Sequence, residues 1–160
     1  IGLDLYREAE ETLKKKDWAV FEKELFSRLQ EEPKGRNPLL TSWQRLRTLA
    51  EILAHNKDWK RLFKTIKDNH DLLVRYEEHL LTLYPNQYLE AYRAEAEKLI
   101  AGRGRGNYMT AVEYLTKVRA IYRALQKRSD GWDRYIRELV ETNKSLTALW
   151  DELRKAKLIP

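Results

Sequence analysis

Apolar residues return every three or four positions along this chain. Trp18, Phe21, Leu25 and Leu29 fall at i, i+3, i+7 and i+11, and Trp43, Leu46, Leu49, Ala50 and Leu53 keep the same rhythm. That is the period of one helix face, not of a strand. No segment alternates convincingly with a period of two. The residues that break helices are few and clustered: Pro33, Gly35 and Pro38, then Pro85, then Gly102, Gly104 and Gly106, then Gly131. Polar turns at Asn56-Lys57 and Asn69-His70 divide the long stretch between Pro38 and Pro85. The pattern predicts an all-α protein of about nine antiparallel helices. Their expected spans are about 3–15, 17–31, 38–55, 58–68, 71–83, 85–100, 107–127, 131–142 and 145–157. In the first helix the expected inner face is Leu5, Ala9, Thr12 and Leu13.

The chain has 160 residues, of which 42% are hydrophobic, enough for one helical domain; a sub-boundary is expected in the 32–38 loop. It lacks cysteine, so it holds no disulfide or thiolate metal site. There is no apolar run of 18 residues and no signal peptide, so a cytoplasmic location and no membrane partner are expected. The start, Ile-Gly-Leu rather than Met, is expected of a piece of a longer protein or of a tag remnant. Charge is uneven. Residues 1–97 hold 17 Lys/Arg against 18 Asp/Glu, a net of −1, whereas residues 98–160 hold 14 against 7, a net of +7. A basic surface attracts acidic proteins or nucleic acid, but it also simply keeps a protein soluble.

Four helix starts look alike: Lys16-Asp17-Trp18, Lys57-Asp58-Trp59, Gly106-Asn107-Tyr108 and Asp130-Gly131-Trp132, each with an apolar or small residue three positions on. Asp or Asn at such a place caps free N–H groups, and the aromatic folds onto the preceding helix. Trp18, Trp59, Tyr108, Ala111 and Trp132 are therefore expected to be structural anchors. Repeated helix–turn–helix units suggest an α-solenoid. Gly106-Asn107-Tyr108-x-x-Ala111-Val112-x-Tyr114-Leu115 resembles the second helix of a tetratricopeptide repeat. The four aromatics are 41, 49 and 24 residues apart, unlike that family's regular period. An irregular tetratricopeptide-like array and a compact multi-helix bundle both remain open. From Leu46 onward the order is Leu-Ala-x-x-x-Lys-Asp-Trp-x-x-Leu, Tyr84-Pro85 with Tyr88 and Tyr92, the Arg-rich loop, Trp132, and Leu149-x-x-x-Leu153. This resembles the helical region that follows the zinc-binding segment of bacterial SWIM zinc-finger proteins. The resemblance implies the helical portion of a larger bacterial protein, and without Cys it carries over no zinc ligand.

One loop could hold an anion: Gly102-Arg103-Gly104-Arg105-Gly106, directly before a helix. It lacks the Lys-Ser/Thr of a P-loop and follows a helix, so a helix cap and turn explains it as well. Lys117, Arg119, Arg123, Lys127 and Arg128 continue the basic surface, with Arg119, Arg123 and Lys127 four apart on one ridge. With Arg103 and Arg105 they are the candidate anion or nucleic-acid contacts. His55, His70 and His79 have no ligand spacing, so no metal is expected. Adjacent carboxylates such as Glu77-Glu78 point about 100° apart on a helix and cannot flank one substrate bond. No serine has a nucleophile-elbow context, and no catalytic set or cofactor is expected. The five tryptophans, Trp18, Trp43, Trp59, Trp132 and Trp150, sit at core positions of their stripes. The expected function is therefore a non-enzymatic protein-interaction module, monomeric by default. The alternative is a nucleic-acid-binding region using the basic surface of residues 98–160.

Overall fold

The structure is a computed structural model and describes residues 2–31, 41–125 and 130–160. Among these residues the fold is all-α, with ten helices and no strand: α1 Leu3–Thr12, α2 Lys15–Gln30, α3 Ser42–His55, α4 Trp59–Ile66, α5 His70–Arg75, α6 Glu77–Leu80, α7 Pro85–Ala101, α8 Arg105–Leu125, α9 Asp130–Thr142 and α10 Thr147–Lys155. They fall into two compact units, Ile1–Leu80 and Leu81–Pro160. The 32–38 loop, with Pro38 as an expected helix start, lies outside the described residues.

In the first unit, α1 turns a different face inward than its sequence suggests. Tyr6 is buried, while Leu5 is 48% exposed and Leu13 38%. The reason is where the helix ends. It stops at Thr12, with Leu13 in an extended conformation, so the inner face centres on Leu3, Tyr6 and Ala9. Helix α2 begins at Lys15, so Asp17 sits inside its first turn, where a carboxylate favours the positive helix end without capping it. Helix α3 starts from a capping box, in which Thr41 accepts from the Gln44 N–H and Gln44 reaches back to the Thr41 N–H. Asp58 caps α4 as expected, accepting from the Arg61 N–H at 3.1 Å. Asn69, rather than Asp71, caps α5. The single helix expected over 71–83 is two short ones, because Tyr76 leaves helical dihedrals (φ −105°, ψ 15°). The core of this unit is Ile52, Leu53, Leu62, Ile66, Leu72 and Leu80.

The second unit is built on its two longest helices. Pro85 occupies the first turn of α7, where a missing N–H leaves no bond unmade. Tyr88, Tyr92, Ala96 and Ile100 repeat every four residues and are buried against α8, which turns Tyr108, Ala111, Val112, Leu115, Val118 and Ile121 inward. The absence of a large side chain at Ala96 and Ala111 lets the two backbones approach. Leu125, expected inside, is 39% exposed at the end of α8. Helices α9 and α10 add Trp132, Tyr135, Ile136 and Leu139, then Leu149 and Leu153.

Three helices end on a cationic residue in the left-handed region: Lys57, Arg103 and Lys157, each with φ 54°. After α3 and α10 the bonding is that of a Schellman motif. The Asp58 N–H reaches Leu53 O and the Lys57 N–H reaches Ala54 O; likewise Leu158 reaches Leu53's counterpart Leu153, and Lys157 reaches Arg154. Glycine usually fills this place because it has no Cβ to clash. Lys and Arg instead put a positive charge at the negative end of the helix.

Candidate interaction sites in the two units

The recurring aromatics do hold helices together, each in its own way. Trp18 is half-buried and meets the Tyr6 ring edge-on at a centroid distance of 5.0 Å. Trp59 is half-buried and stacks on His79 at 4.7 Å. Tyr108 and Ala111 are buried, and Trp132 is buried beside Tyr135 at 6.1 Å. Asn107 does not cap α8. That helix starts two residues earlier, at Arg105, and the Asn107 side-chain amide donates to Arg103 O at 2.7 Å, closing its own loop. Ser129 lies outside the described residues, and Asp130 stands in the first turn of α9. Trp150 is half-buried, and its indole N–H donates to Asn143 O at 3.4 Å. Trp43 is not in the core. It is 44% exposed in the first turn of α3, whose inner face begins a turn later at Thr48 and Leu49.

The glycine–arginine loop is folded inward on one side. Gly102 has ordinary helical dihedrals (φ −67°), and the left-handed positions are Arg103 and Gly104 (φ 91°). Arg105 grips Glu152 of α10 with its Nε at 3.0 Å and an Nη at 2.9 Å, and Lys155 adds a bond at 2.8 Å to the same oxygen. Glu152 is buried in the stripe between Leu149 and Leu153. Its carboxyl is held below the usual range first by the Lys155 hydrogen bond, against the opposing cost of burial, with Arg105 adding to the effect. An acid in an apolar stripe needs a cation, and that signal was present in the sequence. Arg119 donates to Lys157 O at 2.8 Å, fastening α8 to the end of α10. The Lys117 ammonium lies 5.1 Å from the centre of the Tyr92 ring. Arg103 and Arg123 are exposed, while Lys127 and Arg128 lie outside the described residues. The structure thus ties three of the candidate contacts to the protein's own groups.

Two clusters were not anticipated. In the first unit the Tyr6 hydroxyl donates to Glu22 at 2.8 Å and accepts from Asn56 at 2.7 Å, joining α1, α2 and the end of α3. His55 meets Glu10 at 3.0 Å beside it. Burial chiefly drives the Tyr6 hydroxyl well above the ordinary phenol value, and Glu22 adds to this while the Asn56 bond opposes it. Sequence periodicity gives no hint of this cluster, because its members sit on three different helices.

In the second unit, Arg93 on α7 lays its guanidinium 4.2 Å from the centre of the Tyr135 ring and reaches the Tyr122 hydroxyl at 3.4 Å. The Tyr135 hydroxyl donates to Glu97 at 3.0 Å. Burial, then the Glu97 charge, pushes that hydroxyl far above its ordinary value. Arg93, Glu97 and Ile100 of α7 face Tyr135, Glu138, Leu139 and Asn143 of α9 across a cleft of about 370 Å³. A second, more apolar groove of about 560 Å³ lies along Trp132, Ile136, Val140, Trp150 and Ile159. In the first unit a cleft of about 620 Å³ includes Arg7, His55, Trp59, Arg75 and His79. Among the described residues no cluster of His, Asp and Glu could hold a metal ion, and no helix is long and apolar enough to cross a membrane.

These features define an all-α protein whose surface offers clefts between helices. Comparison with known proteins adds a relative but no role. No protein-family model matches the chain, and no solved structure matches it. It is similar to the protein of Bacillus subtilis (strain 168) described as "Uncharacterized protein YwqB", with 39% identity over 75 residues. The match takes in 47% of this chain and 14% of that protein's length.

Proposed function

We propose that this chain is a non-enzymatic protein-interaction module of a larger bacterial protein, working in the cytoplasm. The observation that supports it best is the open α7–α9 cleft, which combines an apolar floor with charged and amide side chains. Such mixed lining suits a polypeptide, which presents apolar side chains and backbone hydrogen-bonding groups together. The bacterial relative, of which the match covers 14%, supports placement in a longer protein. The likeness to the helical part of SWIM zinc-finger proteins remains part of this proposal.

The alternative, nucleic-acid binding, is weakened by the inward pairing of Arg105 and Arg119. A random-peptide display selection on the immobilised chain tests the choice, run beside a titration of duplex DNA at low and high salt. We expect enriched peptides whose binding Leu139→Arg abolishes, and only weak DNA binding. No enrichment, together with tight DNA binding that salt and Arg103→Ala/Arg123→Ala both remove, would replace this reading with the nucleic-acid one.

A further inference from the structure

We infer that the α7–α9 cleft receives an extended peptide segment of the pattern acidic–x–apolar, with Arg93 taking the acidic side chain. This rests on the interaction reading above and makes it specific.

The argument begins with an ion pair that does not form. Arg93 and Glu97 are one helical turn apart on α7, a spacing at which opposite charges ordinarily pair. Here Glu97 takes the Tyr135 hydroxyl instead, and Arg93 lies against the Tyr135 ring and the Tyr122 hydroxyl. Arg93 is half-buried, and its recorded partners are a ring face and a neutral hydroxyl, not a carboxylate. A ring and a phenol orient a guanidinium without cancelling its charge. The planar donor fork is held ready for a carboxylate, which it can grip through two parallel bonds.

The rest of the cleft sets what must accompany that carboxylate. Leu139 follows Tyr135 by four residues, about 6 Å along α9 at the helical rise of about 1.5 Å per residue. Two residues of an extended chain cover about 6.6 Å and return to the same face. An acidic side chain over Arg93 therefore brings the side chain two positions on to the apolar floor of Leu139 and Ile100. Glu138 and Asn143 lie beyond, and both carry acceptor oxygens for the segment's N–H groups. Asn143 spends its amide N–H on Leu139 O at 2.8 Å, which leaves its side-chain oxygen as an acceptor. Glu138 also disfavours a segment with a second acidic residue at that end. A second copy of this chain suits the cleft poorly, since residues 81–160 hold 15 Lys/Arg against 10 Asp/Glu, a net of +5 that repels its like.

The test uses the full chain and the blocked peptide acetyl-Gly-Gly-Glu-Ser-Leu-Gly-Gly-amide, followed by amide and side-chain NMR shifts. We expect shifts centred on Arg93, Tyr135 and Leu139. Binding should be at least about tenfold weaker for the peptide with Gln in place of Glu, and for the one with Ala in place of Leu. Arg93→Gln should abolish the preference for Glu over Gln. Tyr122→Phe keeps the charge but frees the guanidinium, and should cost about two- to fivefold, which guards against misreading a folding defect in Arg93→Gln. Equal binding of the Glu and Gln peptides, a preference that survives Arg93→Gln, or equal competition by acetate alone overturns the inference. If display selection yields peptides without the acidic–x–apolar pattern, the interaction reading stands and this inference falls. If neither selection nor the test peptide shows binding, both fall.

Discussion

Each unit of this protein buries a tyrosine against a glutamate, and the third member of the cluster differs. In residues 1–80, Tyr6 and Glu22 are joined by Asn56, whose amide donates to the Tyr6 hydroxyl at 2.7 Å and to Glu22 at 3.3 Å. In residues 81–160, Tyr135 and Glu97 are joined by Arg93, which touches the ring rather than the carboxylate. A neutral amide closes the first cluster, so each polar group has a partner and three helices are pinned. A cation leaves the second one open, with charge directed into a cleft. The same two residue types thus serve packing in one place and recognition in the other, according to what the third helix supplies.

Three paired experiments put weight on that contrast. The largest effect sets the scale: Leu62→Ala and Leu115→Ala each remove a fully buried side chain and should cost about 2–5 kcal/mol of stability in their own units. Hydrogen exchange in α3 and α4 reads the first, and exchange in α7 and α8 reads the second. Equal protection before and after either change would mean that the core has been misplaced.

The next pair addresses the clusters directly. Tyr6→Phe removes two hydrogen bonds from a half-buried setting and should cost about 1–2 kcal/mol, whereas Tyr135→Phe removes one from an exposed Glu97 and should cost about 0.5–1 kcal/mol. Denaturant titration ranks them, and a larger loss at Tyr135 would reverse the assignment of closed and open clusters. Both hydroxyls are raised above their ordinary value, mainly by burial, so the fold favours their neutral form. That contribution is complete below the unfolded tyrosine value of about 10 and is lost as pH rises through the raised folded values. Stability should therefore fall above about pH 10, and less steeply in each Phe variant. Absorbance at the tyrosinate band should show these two phenols titrating last.

The smallest pair is a control with one member in each unit. Lys57→Gly and Lys157→Gly relieve a left-handed backbone at matching Schellman ends, and each should raise stability by about 0.5–1 kcal/mol. Similar gains in thermal melts would show that the helix ends are alike and that the difference between the units lies in the clusters. A loss at either site would mean that the lysine's charge at the helix end outweighs its strain.

Much of this was open to inspection in the amino-acid order. Helical period alone announced an all-α chain, and rare Gly and Pro placed most of the breaks within a few residues. Asp58 was readable as a cap, and Tyr108, Ala111 and Trp132 as anchors, because cap and stripe are local properties set by one helix. Errors arose where a local signal was ambiguous. Leu5 and Tyr6 are adjacent, and choosing between them needs the helix's end and its neighbour. Trp43 fits a stripe by spacing, yet it falls in a first turn that the core does not reach.

What tertiary structure alone decided is which charges remain unneutralised. In sequence, Arg105, Arg119 and Arg123 are equivalent members of one basic surface. In space, Arg105 serves a buried Glu152, Arg119 holds a backbone carbonyl, and Arg123 stays exposed. Arg93, unremarkable in the sequence, becomes the oriented cation of a cleft. Helix formation depends on residues within about a turn of each other, so a sequence carries it directly. Neutralising a charge depends on groups brought together from distant positions, such as Arg105 and Glu152 or Arg93 and Tyr135, and only the packed helices determine those pairs.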